Sequence, residues 1–230
     1  MKTSLIILHG ALGCREQFND WKNALSETYN CYSFDFSGHG NRSGETGPFS
    51  IKTFSEELKM YIKQNNLERP AIIGYSMGGY VALYTALFTE GFLGDIITIA
   101  TKFNWTPESS KKEAGYLQPK LMQAKVPQLV MQLEERHGSN WTAVANKTAE
   151  MMLQLGENTL LTTENIGRIK NRVKFCVGDK DKMVSIEETY AMYKNVPGAS
   201  FCVLPGTGHL PEGMSAKRIK FEVEEFILRK

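Results

Sequence analysis

The chain has 230 residues, of which 42% are hydrophobic and 23% charged, with 8 prolines and a formal net charge of +2. This composition is typical of a soluble globular protein that can bury a full core. The near-neutral charge argues against a nucleic-acid partner, and no apolar run reaches the roughly 20 residues that a membrane span needs.

The N-terminal residues show no secretory signal, because the apolar run at residues 5–8 is too short and no small-residue cleavage site follows it. The sequence therefore predicts a cytoplasmic protein. Three of the four cysteines, Cys31, Cys176 and Cys202, lie inside strand-like runs, and Cys14 has no C-x-x-C partner. Neither a redox pair nor a metal site is indicated.

Strand and helix patterns alternate along most of the chain. Strands are predicted at residues 5–8, 29–36, 71–75, 94–100, 173–177 and 200–204, and helices at 16–25, 50–65, 77–89, 186–195 and 215–230. Most of the strand runs are apolar on both faces, which is typical of a parallel sheet covered by helices on each side. The sequence predicts an α/β fold with a mostly parallel sheet of about six strands.

Residues 102–165 break this alternation, because they contain no strand-like run and carry apolar residues at helical spacing. We interpret them as a helical cap insertion over the strand ends, with residues 1–101 and 166–230 forming the core domain. Met122, Met131, Met151 and Met152 are most simply packing residues of the insertion. Alternatively, some of them line an adaptable apolar pocket.

A G-x-S-x-G motif at residues 74–78 joins a predicted strand to a predicted helix. In that setting Ser76 would lie at the tip of a strained turn, and side chains at Gly74 or Gly78 would collide where the strand and helix pass close together. The free N–H groups at the start of the helix favour negative charge. The plainer interpretation is an ordinary glycine-rich turn that happens to contain a serine.

Two more polar loops follow predicted strands. Asp179 and Asp181 come after the strand at 173–177, and His209 comes after the strand at 200–204. The carboxyl ends of parallel strands meet at the edge of the sheet where ligands bind. A serine nucleophile needs a base in hydrogen-bond reach and a third group that orients the base, and these loops provide candidates for both.

Five motifs in order resemble those of the α/β-hydrolase family. They are HG-x-x-G at 9–13, a loop at 35–43 similar to the family's D-x-x-G-H-G-x-S pattern but with one more residue before the serine, G-x-S-x-G at 74–78, G-x-x-D-x-x-V at 178–184 and G-x-G-H at 206–209. The resemblance implies that Ser76 is the nucleophile, His209 the general base and Asp181 the group that orients it. Asp181 is preferred to Asp179 because it lies three residues after Gly178, as in the family pattern.

The resemblance also implies an oxyanion hole formed by the backbone N–H groups of Ala11 and Met77, and it implies no metal and no organic cofactor. His9 is expected to brace the oxyanion loop through a hydrogen bond, His39 to be structural, and His137 to lie near the C-terminal end of a helix. The expected substrate pocket includes Leu12, Phe103, Trp105 and Leu210.

The leading functional hypothesis is a serine hydrolase that cleaves an ester, thioester or related acyl bond of a small, partly apolar substrate. Lyase, carbon–carbon hydrolase or haloperoxidase-like chemistry on the same triad is an alternative, although Tyr80 stands where the menaquinone-pathway lyase branch is expected to have arginine. A ligand-binding receptor on the same fold is the second alternative.

Family members usually begin with a strand hairpin before the HG loop, whereas here the first strand falls within the first ten residues. The antiparallel edge would then be missing. The exposed sheet edge could pair with another subunit to form a homo-oligomer.

Overall fold

The computed structural model describes residues 2–229. Within them, six strands form one sheet in the order β2-β1-β3-β4-β5-β6, and every neighbouring pair is parallel. The strands are β1 (Thr3–Leu8), β2 (Tyr29–Ser33), β3 (Ala71–Tyr75), β4 (Ile96–Ile99), β5 (Val173–Gly178) and β6 (Ser200–Leu204). The predicted parallel six-stranded sheet is confirmed.

Nine α-helices lie in the described residues. They are α1 (Asn19–Leu25), α2 (Ile51–Gln64), α3 (Met77–Phe88), α4 (Pro107–Gly115), α5 (Pro119–Lys125), α6 (Pro127–His137), α7 (Trp141–Glu157), α8 (Ile186–Asn195) and α9 (Ala216–Ile227). None of them is long and apolar enough to cross a membrane.

The sheet separates two hydrophobic cores, because successive side chains of a strand point to opposite faces. In β1, Leu5 and Ile7 pack into a core with Trp21 of α1 and residues of α9. Ile6 and Leu8 face the other way, into a core with residues of α2 and α3. All four side chains are fully buried, which explains why this strand has no polar alternation.

Several predicted elements differ from the structure in their bounds, including β4, which spans only Ile96–Ile99 of the predicted 94–100. β2 ends at Ser33 rather than at residue 36, because the chain turns around Asp35, whose carboxylate accepts the N–H groups of Arg15 and Asn41. The helix predicted at 16–25 is divided into a 3₁₀ turn, Arg15–Phe18, and α1. The last predicted helix ends at Ile227, and its predicted final residue, 230, lies outside the described residues.

Helices α4 to α7, here called the insertion helices, lie between β4 and β5 in the chain. Helices α4 and α7 approach closely at Gly156, where an added Cβ would lie within 2.7 Å of the Thr106 carbonyl oxygen. Met122, Leu133 and Trp141 form a small core of their own. Met131 was expected to pack there, but it is exposed because its neighbours Val130 and Leu133 occupy the inward face of α6. The division into a core and a cap domain stays a prediction.

Strands β2 and β6 form the two edges of the sheet within residues 2–229. Most of the residues of β6 are only partly buried. Pairing of an edge with a second subunit remains a prediction.

Candidate active site

Ser76 occupies a strained turn between β3 and α3, here called the elbow. Its backbone has φ 49° and ψ −116°, in the left-handed half of conformational space. The Ser76 N–H donates to the Ile99 carbonyl (2.8 Å), which ties the turn to the end of β4. The turn also depends on Gly74, where an added Cβ would lie 2.4 Å from the Gly79 Cα of α3. Strand and helix can therefore meet this closely only without a side chain at Gly74.

Asp181 and His209 form a direct pair at the carboxyl ends of β5 and β6. Asp181 Oδ2 lies 2.8 Å from His209 Nδ1, while its Oδ1 accepts the N–H groups of Met183 and Val184. The Asp181 side chain is fully buried. Burial alone would raise its pKa, but the hydrogen bonds from His209 and the two backbone N–H groups outweigh burial and lower the pKa. Asp181 is therefore built to stay ionised beside the imidazole.

Tyr75, next to the elbow serine, holds the backbone of His209. Its buried hydroxyl donates to the His209 carbonyl (2.8 Å), and burial raises the pKa of this phenol. The Nδ1 atom of His209 faces Asp181, which leaves Nε2 as the nitrogen available to a substrate or to Ser76. Within residues 2–229 the Ser76 hydroxyl makes no hydrogen bond, so its link to His209 is not formed in this structure.

Asp179, the other candidate acid, lies elsewhere. Its carboxylate accepts the Thr207 N–H (3.2 Å), and its Oδ2 lies 3.9 Å from Nζ of the exposed Lys180. Asp181 is thus the aspartate that contacts His209, and Asp179 braces the loop that carries His209.

Ala11 and Met77 both line the cavity that contains Ser76 and His209. Within the part of the chain that the structure describes, neither backbone N–H has a hydrogen-bond acceptor. Met77 is the first residue of α3, where the helix dipole adds a partial positive charge. Free backbone N–H groups are the kind of donor that stabilises an oxyanion, and the oxyanion hole at Ala11 and Met77 stays a prediction.

The cavity has a volume of about 260 Å³. Leu12, Trp105 and Leu210 line it, as do Met151 and Met152 from α7. Phe103, which the sequence placed in the pocket, instead packs against the rings of Tyr80 and Phe175 in the core. The chain turns between Phe103 and Trp105, so that only the second aromatic reaches the cavity.

One polar cluster in the cavity wall was missed by sequence reasoning. Lys102 is buried, its Nζ donates to the Met183 carbonyl (3.1 Å), and it lies 3.9 Å from Glu113 Oε1 and 4.0 Å from Glu188 Oε2. Met183 in turn donates to Asp181. Lys102 therefore supports the loop that presents Asp181. A lysine in the loop after β4 gives no sequence signal for this role.

Three buried histidines lie beneath the Ala11 loop. His9 accepts the Phe36 N–H at Nε2 (3.0 Å) and donates from Nδ1 to the Gly10 carbonyl (2.8 Å). Burial lowers the pKa of His9 to about 4, and it also lowers the pKa of His39 and of His137. All three are therefore neutral at pH 7.

His137 joins the insertion helices to the Ala11 loop, which spans residues 9–13. It is the last residue of α6, 2% exposed, and its Nδ1 accepts the Gly40 N–H (3.0 Å). Its Nε2 then donates to the carbonyl of Leu12 (3.0 Å), a residue that the structure holds at φ 59°. The sequence indicated only its position near a helix end, because its partners lie about a hundred residues away.

No group of three or more histidine, cysteine or acidic side chains is placed to hold a metal ion in residues 2–229. The geometry centres on the Asp181–His209 pair and the elbow serine.

A sequence model of the alpha/beta hydrolase fold matches residues 3–133. This match covers more than half of the chain, which therefore belongs to the alpha/beta hydrolase fold family. The chain is also similar to an enol-lactonase of Burkholderia xenovorans LB400, whose crystal structure has a TM-score of 0.81 and 16% sequence identity, covering 100% of this chain and 93% of that one. At such low identity the likeness shows the fold alone.

Two curated relatives are informative. Ethanol acetyltransferase 1 of Hanseniaspora uvarum is 31% identical over 87 residues, which cover 36% of this chain and 25% of the relative. A Haemophilus influenzae protein that is provisionally named an esterase/lipase is 22% identical over 230 residues, covering 89% of this chain and 76% of the relative. The chain matches about a quarter of the length of the acetyltransferase.

Proposed function

We propose that this protein is a serine hydrolase that cleaves an ester, thioester or related acyl bond of a small, partly apolar substrate. The observation that carries the proposal is the 2.8 Å contact between Asp181 and His209 at a cavity that Ser76 also lines. Similarity to an esterase/lipase over most of the chain supports the same class of reaction. The substrate would be a small molecule in the cavity.

In the proposed reaction the Ser76 hydroxyl attacks the substrate carbonyl, and His209 Nε2 accepts its proton. Rotation of the unbonded Ser76 side chain would bring Oγ toward His209, since catalytic hydrogen bonds often form only when substrate is bound. Asp181 holds the proton on Nδ1 and stabilises the imidazolium that results. His209 then gives its proton to the leaving group, and water hydrolyses the acyl-enzyme by the same steps.

The tetrahedral intermediates carry a negative oxygen, which the N–H groups of Ala11 and Met77 would bind. A well-aimed donor of this kind lowers the barrier by roughly 3–4 kcal/mol. His137 and His9 fix the carbonyls of Leu12 and Gly10, the two residues that flank Ala11. The donor at Ala11 is therefore held in place from both sides.

Active-site labelling tests the proposal. A fluorophosphonate probe should react with the wild-type protein and fail to react with Ser76→Ala. Thr98→Ala is a matched control, because it also removes a single buried hydroxyl but lies in β4. Wild-type protein that is folded and unlabelled would contradict the proposal and favour a ligand-binding protein.

A series of 4-nitrophenyl esters of increasing acyl length tests the substrate class. Because the cavity is only about 260 Å³ and largely apolar, short acyl chains should give the highest kcat/KM. A clear preference for long chains would contradict the small-substrate assignment. Labelling at Ser76 without hydrolysis of any ester would favour the lyase or carbon–carbon hydrolase alternative.

A further inference from the structure

A second, more open groove adjoins the cavity on the side of His209. It has a volume of about 460 Å³ and lies between α4 and the loop that carries Asp181. His209, Glu113, Tyr116 and Met183 line both the cavity and this groove. A molecule whose reacting carbonyl lies at Ser76 could therefore extend from the cavity past the His209 imidazole into the groove.

The groove differs from the cavity in its charge. Lys112 of α4 faces Lys180 and Lys182 across it. Within residues 2–229, Lys112 and Lys182 make no salt bridge, and Lys180 has only the loose 3.9 Å contact with Asp179. The acidic residue that lines the groove, Glu113, is already near the buried Lys102. The groove therefore presents a surplus of ammonium groups.

The loop lysines are anchored near His209 rather than randomly placed on the surface. Lys180 and Lys182 flank Asp181, which is fixed by its bonds to Met183, Val184 and His209. The Lys180 N–H also donates to the Thr207 carbonyl (3.0 Å). Their side chains are exposed, but their backbone is held at the rim of the site.

We propose that this groove binds the leaving group of the substrate and that the leaving group carries a negative charge. This inference rests on the proposed acyl transfer. When the bond from the acyl carbon to the leaving oxygen or sulfur breaks, that atom keeps the electron pair and takes the proton from His209 Nε2. The leaving group must therefore lie beside His209, where the groove opens, while the acyl part occupies the apolar cavity.

Two substrate pairs test the charge preference. The first pair is 4-nitrophenyl butyrate and 3-carboxy-4-nitrophenyl butyrate, which differ by a carboxylate on the leaving group. The second pair is butyryl-pantetheine and butyryl-coenzyme A, which differ by the phosphate-bearing part of the thiol. For each pair, the kcat/KM of the anionic substrate is divided by the kcat/KM of the neutral one. This ratio is then compared between wild type and variants, so that the intrinsic reactivity of each substrate cancels.

The Lys112→Ala/Lys182→Ala double variant should lower the ratio of kcat/KM for the anionic substrate to kcat/KM for the neutral one. An ammonium group within about 4 Å of an anion in water contributes about fivefold, so two together should give about 25-fold. Raising the salt concentration from 0.05 to 0.5 M should reduce the wild-type ratio as well, because the groove is open to solvent. The pair that responds more strongly identifies carboxylate or phosphate as the preferred anion.

Lys63→Ala/Lys217→Ala is the matched control, since it removes the same charge from exposed positions on α2 and α9. Its ratios should equal those of wild type. The inference would be overturned if the Lys112→Ala/Lys182→Ala variant kept both kcat/KM ratios within about twofold of wild type. Absence of labelling together with no turnover of either neutral substrate would instead overturn the proposed function.

Discussion

The buried histidines beneath the Ala11 loop should make the protein less stable in mild acid. His9 is fully buried, and burial lowers its pKa from 6.5 to about 4. Between these two values the unfolded chain binds a proton at this residue that the folded protein does not, so stability falls as the pH falls. From pH 7.5 to pH 5.0, His9 alone should lower the free energy of unfolding by about 2 kcal/mol.

His39 and His137 act in the same direction, because burial also lowers their pKa values. Asp35 opposes this effect, since its charge raises the pKa of His9. Because three histidines contribute, the total loss of stability between pH 7.5 and 5.0 should exceed the contribution of His9. Urea unfolding at the two pH values, followed by tryptophan fluorescence, measures this loss.

His9→Asn isolates the contribution of one histidine. This variant should be less stable at pH 7.5, because one amide cannot replace both hydrogen bonds of the ring. Its loss of stability between pH 7.5 and 5.0 should nevertheless be smaller than that of wild type by about 2 kcal/mol. Equal pH dependence in the two proteins would refute the reasoning.

Three further predictions concern the site and its support. Asp181→Asn should lower kcat/KM for 4-nitrophenyl butyrate by about 10⁴-fold, because the imidazole loses its orienting charge. Asp179→Asn should change the same kcat/KM by less than about threefold. Equal losses in the two variants would contradict the assignment of Asp181. Gly74→Ala should lower the free energy of unfolding, measured by urea unfolding, by about 1–3 kcal/mol through overpacking. Gly44→Ala, where an added Cβ meets nothing within 4 Å, should leave it unchanged. Trp105→Ala should enlarge the cavity and shift the preferred ester toward longer acyl chains, and an unchanged length profile would count against its place in the wall.

The sequence predicted the sheet and the location of Ser76 because both depend on local patterns. Buried parallel strands leave apolar runs, and the elbow needs small residues at fixed spacing. The C-terminal ends of such strands meet at one edge, so the proximity of Asp181 and His209 followed from their positions after successive strands.

The rest of the site depends on long-range packing that no local pattern encodes. Phe103 and Trp105 look equivalent in sequence, but only the chain path after β4 decides which ring reaches the cavity. His137 contacts Leu12 from 125 positions away. In the sequence, Lys112 and Lys182 look like ordinary solvated lysines, because only the fold places them on opposite walls of the groove.

The bond from His137 to the Leu12 carbonyl has a consequence for protein engineering. Exchanging residues 102–165 for the corresponding segment of another family member is an obvious route to a new substrate range. Here the exchange would also remove the side chain that fixes the Leu12–Gly13 peptide, close to Ala11. A functional graft must therefore bring its own donor to that carbonyl, and grafts that lack one should lose turnover even when they bind the new substrate.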